Sequence, residues 1–102
     1  YSVLAHRERL QSAEIDLILV DHRVRPEQLM VVEVKASRWR TGVPHRRFTM
    51  VKKQRIELAT REFVRRHHLD NVLIRLELVT VVWGKSGLFP TLTRFCMGTV
   101  AR

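Results

Sequence analysis

Two short runs of this sequence break an apolar pattern with charge in the same way. In residues 13–20, AEIDLILV, Glu14 and Asp16 stand two apart; in residues 28–35, QLMVVEVK, Glu33 and Lys35 do the same. Residues two apart on an extended strand share a side and lie about 6.6 Å from each other. An uncompensated charge on a buried strand costs several kcal/mol, so a fold keeps one only where something offsets it. If the two runs pair, three carboxylates and one ammonium meet in one place. Clustered carboxylates repel one another, and a hard divalent cation with oxygen ligands, Mg2+ or Mn2+, relieves that repulsion. Lys35 beside such a cation could orient or help deprotonate an attacking water and offset the charge growing on a phosphate. The same residues also fit plain salt bridges at the rim of a sheet, Asp16 with Lys35 and Glu14 or Glu33 with an arginine. Pattern alone leaves both readings standing.

The elements that must position these groups can be read from punctuation and period. Residues 1–9 carry enough apolar side chains (Val3, Leu4, Ala5) for a strand that starts with no cap or loop before it, as if clipped. Residues 13–20 and 28–35 are apolar on both faces away from their charges, which predicts interior strands. Residues 36–48 hold Gly42, Pro44 and four arginines without either period and read as an exposed loop. Thr49 can cap a helix over residues 50–67, about 18 residues, with Ile56, Ala59 and Phe63 on the face toward the sheet and Gln54, Leu58, Arg61 and Arg65 on another. Residues 72–83 and 88–97 read as strands joined by Gly84-Lys85-Ser86-Gly87, and residues 98–102 as an unstructured tail. The order is strand, strand, strand, helix, strand, strand. That predicts an α/β fold with a mixed central sheet of about five strands and a long helix packed on it.

Composition narrows the class. The 102 residues, 45% apolar, suit one domain and leave no room for a second. Nineteen Lys and Arg against ten Asp and Glu give a formal charge of +9, which points to a polyanion partner, nucleic acid ahead of a ribosomal or membrane-surface role. No apolar stretch approaches the ~18 residues of a spanning helix and no signal-peptide pattern opens the chain, so a cytoplasmic location is expected. The lone Cys96 can form no internal disulfide and is expected to pack rather than react.

Three ordered blocks resemble one known family. Ala13-Glu14-Ile15-Asp16-Leu17-Ile18 resembles the Gly-Glu-Ile-Asp-Leu-Ile block of the bacterial YraN-type family, and Val31-Val32-Glu33-Val34-Lys35 its Phe-Val-Glu-Val-Lys block. Phe48-Thr49-Met50-Val51-Lys52-Lys53-Gln54-Arg55 is similar to its Val-Thr-Pro-Arg-Lys-(Lys/Arg)-Gln-Arg stretch. Asp16 followed by Glu33-Val34-Lys35 also looks like the Asp…(Asp/Glu)-x-Lys signature of restriction endonucleases and archaeal Holliday-junction resolvases. The blocks cover roughly the first two-thirds of the chain. The resemblance implies a restriction-endonuclease-like fold and a metal-dependent deoxyribonuclease, with branched DNA a substrate by analogy with the resolvases. It implies Asp16 and Glu33 as metal ligands, with the Val34 carbonyl as a further donor, Lys35 as catalytic base or electrostatic element, and Gln54 as a supporting catalytic group; the charge pattern itself adds Glu14 as a candidate metal donor. Ala13 stands where the family has Gly. Family members usually begin with a helix, often bearing a Glu that reaches the site, and this sequence starts after that point; a non-catalytic nucleic-acid-binding module is therefore the rival expectation.

Between Lys35 and Arg66 stand eleven Lys or Arg, both ends counted, and only two acidic residues, Glu57 and Glu62. Arg38, Arg40, Arg46, Arg47, Lys52 and Lys53 are the expected phosphate contacts, and Trp39 a base-stacking one. DNA is the expected partner, ahead of RNA, and cutting both strands symmetrically would take a homodimer. Gly84-Lys85-Ser86 is no phosphate-binding loop, since Val79 stands where that motif needs Gly and no helix follows. His67 and His68 are adjacent, so they cannot face one metal together and read as a basic end to the helix.

Overall fold

The computed structural model describes residues 1–38, 49–69, 71–84 and 87–100. Five strands form one sheet in chain order: β1 (Ser2–Arg9), β2 (Glu14–Asp21), β3 (Gln28–Arg38), β4 (Leu73–Trp83) and β5 (Pro90–Thr99), with the helix α1 (Met50–Arg66) between β3 and β4. All neighbours are antiparallel except β3 and β4, which pair in parallel from Gln28↔Leu73 to Arg38↔Trp83. A parallel pair needs a crossover, and α1 lies in that connection. The sheet is therefore mixed, with β2 and β3 inside it as their apolar runs imply, and β4 inside it as well.

The helix has 17 residues, not a long one. Thr49 caps it, its hydroxyl accepting from the Lys52 N–H at 3.2 Å, and Arg65 and Arg66 occupy the last turn, where cations suit the helix dipole. Ile56, Ala59, Thr60, Phe63 and Val64 are buried, the spacing of one helical stripe. They pack on Ile18, Leu29, Val31, Ile74 and Leu76, which the strand register sets side by side on one face of the sheet. Buried Thr60 turns its hydroxyl to the Ile56 carbonyl at 2.7 Å. The axis runs across the strands: Lys53 reaches Gly98 in β5, while Phe63 and His67 border a cavity of about 340 Å³ with Leu4, Ala5 and Glu8 of β1. No helix among the described residues is long and apolar enough to cross a membrane.

Three expectations need correction. Residues 98–100 are not a loose tail: Gly98 and Thr99 belong to β5, and Val100 is buried in the core, its N–H bonded to the Ile74 carbonyl. Gly98 takes φ 113° beside the register shift at Leu76/Glu77, a backbone state that glycine adopts at little cost. β3 continues through residues 36–38, read as loop, because β4 offers it a partner as far as Trp83. Cys96 is exposed rather than packed, opposite Glu77 on the face that α1 does not cover.

That other face holds a polar cluster the sequence reading did not foresee. Asp21 and Glu77 are buried there, and Arg75 lies between them, donating to Glu77 Oε2 at 2.6 Å, Asp21 Oδ2 at 3.0 Å and Gln28 Oε1 at 2.8 Å. Arg23 closes on Asp21 from one end and Arg94 on Glu77 from the other. The hydrogen bond from Arg23 holds the Asp21 carboxyl well below the usual carboxylate range against the opposing effect of burial, with Arg75 adding to it.

Candidate active site

The β2–β3 ladder ends at Leu17↔Val32. One residue further on, side chains take the place of the backbone rung. The Val34 N–H donates to Asp16 Oδ2 at 2.8 Å, and the Asp16 N–H donates to Glu33 Oε1 at 3.3 Å. Each strand thus lends a carboxylate to the other's backbone, so two acidic groups are fixed where β2 and β3 part. Glu33 continues the alternation of Leu29 and Val31 and so lies on the face that carries α1.

Glu33 is 7% exposed. Burial pushes its carboxyl up to about 7, and the Asp16 charge pushes in the same direction. The Asp16 N–H and the Lys35 ammonium oppose this, and Glu14 adds a little more negative charge. Among the described residues neither Asp16 nor Glu33 has a cationic partner within salt-bridge distance, so the Asp16–Lys35 bridge of the plain reading does not form. Only Glu14 fits that reading: it is exposed and pairs with Arg7 at 3.5 Å.

A carboxylate with a raised folded pKa favours the protonated state. Stability from that source is complete below the unfolded value near 4.5 and is lost as pH rises through about 7. Glu33→Gln removes the titration and keeps an oxygen for the Asp16 N–H. We expect the metal-free variant to be more stable than the parent by about 2 kcal/mol at pH 8, a figure discounted for the solvent reaching the site. The gap should close toward pH 4.5. Urea unfolding across that range checks this, and a gap constant with pH would show that Glu33 is not held as described.

The other expected site residues are distributed unevenly. Lys35 is half-buried and close enough to act on Glu33. Val34 is 40% exposed, with its N–H engaged by Asp16. Gln54 is exposed on α1. Glu62, about two turns further along α1, accepts from the Gln11 N–H beyond the end of β1. Lys52 is exposed and Lys53 half-buried against β5. Trp39, Arg40, Arg46 and Arg47 lie outside the described residues, as does the Arg38 side chain, although Arg38 ends β3. Among the described residues no group of three or more His, Cys, Asp or Glu is placed to hold a metal ion. The acidic donors at the strand divergence are two.

Residues 1–81 match the model of the uncharacterised protein family UPF0102. The chain is also 35% identical over 91 residues to a UPF0102 protein of Rhodopirellula baltica. That alignment covers 88% of this chain and 53% of the relative, so the chain spans about half the length of the curated relative it matches.

Proposed function

This chain belongs to the UPF0102 family, the YraN-type nuclease-like family, and from that premise we propose that it is a metal-dependent deoxyribonuclease of restriction-endonuclease-like fold, acting on phosphodiester bonds. The observation that carries the proposal is the pair Asp16 and Glu33 at the divergence of β2 and β3, with Lys35 beside it.

The residues fit a hard divalent cation. Their donors are carboxylate oxygens, and a Glu pushed up to about 7 by burial and a neighbouring carboxylate marks a place where added positive charge is stabilising. Asp16 and Glu33 would hold Mg2+ or Mn2+, with the Val34 carbonyl and Glu14 as further donors. Bound there, the ion would supply Lewis-acid polarisation of a phosphate oxygen and activation of water. Lys35 contributes an ammonium that offsets negative charge on the phosphate as it develops or, as the neutral amine, takes the proton of the attacking water. Gln54, exposed on α1, is proposed as a supporting group. Arg38, Arg40, Arg46, Arg47, Lys52 and Lys53 are proposed to hold the DNA backbone, and Trp39 a base. Branched DNA, a cytoplasmic setting and pairing of two chains belong to the same proposal.

A second reading rests on the absence of a three-donor acidic cluster among the described residues. On it the chain keeps a nuclease-like fold and a basic surface but only binds nucleic acid. Labelled linear, flapped and four-way-junction DNA, each with Mg2+, Mn2+ or EDTA, separates the two. Metal-dependent cutting is the expected result, and tight binding without cutting under every condition would favour the binding module.

A further inference from the structure

The β4–β5 hairpin ends in an exposed apolar patch. Phe89 is 83% exposed, Leu88 73%, Leu92 64% and Trp83 39%. The turn is closed by the Gly87 N–H on the Gly84 carbonyl at 3.2 Å, with Gly87 at φ 69°. The strand register fixes where this patch stands. Lys35 pairs with Thr80, so Trp83 lies three residues, about 10 Å, further toward the same end of the sheet. Arg38, from which the arginine-rich segment continues, pairs directly with Trp83, and Trp83 with Pro90. The hairpin tip lies beyond residues 1–81, the part matched by the family model.

An exposed cluster of this kind marks a contact surface. Its surroundings select the occupant. A second copy of this chain carries the same charge of +9 and would bring its own basic segment against this one. A nucleic-acid strand instead suits both features, its phosphates the positive charge of a chain whose arginine-rich sequence follows Arg38, and a base face an exposed aromatic ring. Bases inside an intact duplex have their faces covered by their neighbours, so the ring needs an unpaired nucleotide. Trp83 and Leu92 alternate onto the sheet face away from α1, whereas Glu33 and Lys35 lie on the face beside it. A strand touching both passes over the end of the sheet at Arg38.

We propose that the hairpin tip, with Phe89 and Trp83 as its stacking surface, holds an unpaired nucleotide of a DNA strand whose backbone lies at the carboxylate pair. The preferred substrate is then single-stranded, frayed or branched DNA rather than intact duplex. This rests on the nuclease reading for its partner.

The test uses Phe89→Ala and Phe89→Trp in the full chain. Phe89 is so exposed that neither change disturbs the core. Binding of a labelled single strand and of the matching duplex is measured in EDTA over a series of salt concentrations. Phe89→Ala should weaken single-strand binding about tenfold and duplex binding less than about twofold. The slope of affinity against salt should stay unchanged, since no charge is altered. Phe89→Trp should bind as the parent does. Equal losses on both DNAs, or no loss on either, would overturn the proposal. So would an unchanged affinity accompanied by dissociation of a dimer in sedimentation, which would make the patch a contact between copies. If the parent chain binds no DNA at all, the nuclease reading fails first; if it binds and Phe89→Ala has no effect, only the present inference fails.

Discussion

Asp16→Asn should lower metal-dependent cleavage by about 10³-fold or more while leaving DNA affinity in EDTA within about threefold of the parent. The expectation follows from what the substitution keeps. Asn retains an oxygen that can accept from the Val34 N–H, so the replacement rung between β2 and β3 survives. What disappears is one of two negative charges. Two carboxylates are the acidic donors fixed at the strand divergence, so losing one removes a large share of any affinity for a divalent ion. The same change lowers the Glu33 carboxyl from about 7, because the Asp16 charge is the second cause of its rise. Cleavage is followed on the best substrate at saturating Mn2+. A variant that cut as fast as the parent would remove Asp16 from the chemistry and the proposed mechanism with it.

Arg75→Ala should lower the midpoint of thermal unfolding by roughly 10–20 °C. Arg75 is the shared donor of two buried carboxylates, Asp21 and Glu77, and also bonds Gln28. Arg23 and Arg94 remain, but each is more than half exposed and reaches only one of the two. Removing the middle cation leaves buried charge short of a partner, and this costs far more than the pair itself gains. Arg66→Ala is the control. Arg66 is paired with Glu62 at 2.6 Å on the helix surface, and its loss should move the midpoint by less than about 4 °C. The gap between Arg75→Ala and the parent should also narrow on acidification. Asp21 is held below its ordinary value of 3.8, so its stabilising contribution is present above that pH and fades as pH falls. Scanning calorimetry at pH 7 and at pH 2, well inside the window below 3.8, measures both effects. Equal shifts for Arg75 and Arg66 would mean that the cluster is no more than surface charge.

The carboxylate pair was legible in the sequence because charge on an apolar interior strand is costly wherever it occurs, and Asp16 and Glu33 broke their runs conspicuously. The same reasoning applies to β4, where Arg75 and Glu77 interrupt Leu73-Ile74 and Leu76-Leu78 two residues apart. It could have found the second cluster, but the partner, Asp21, stands just past the apolar run of residues 13–20, and its burial depends on an arginine far along the chain. The Thr49 cap and the stripe of Ile56, Ala59 and Phe63 were legible because both are local. The end of β5 was not. Gly98 looks like a strand breaker until the shift opposite Leu76 gives it a role, and that shift belongs to pairing rather than composition. The exposure of Cys96 follows from the same pairing. The angle of α1 over the sheet was hidden for a similar reason: the stripe says which side is buried, not which strands lie beneath it.

The side-chain rung between β2 and β3 has one further consequence. In a regular ladder an amide proton is shielded by a carbonyl that neither titrates nor binds ions. Here the Asp16 and Val34 amide protons are held by carboxylates instead, so their protection against solvent exchange is tied to whatever those carboxylates do. Protonation, cation entry or loss of either acid would be written directly into the exchange rates of two backbone positions. The strand ends would loosen or tighten with the occupancy of the site, and the sheet itself would carry the record of it.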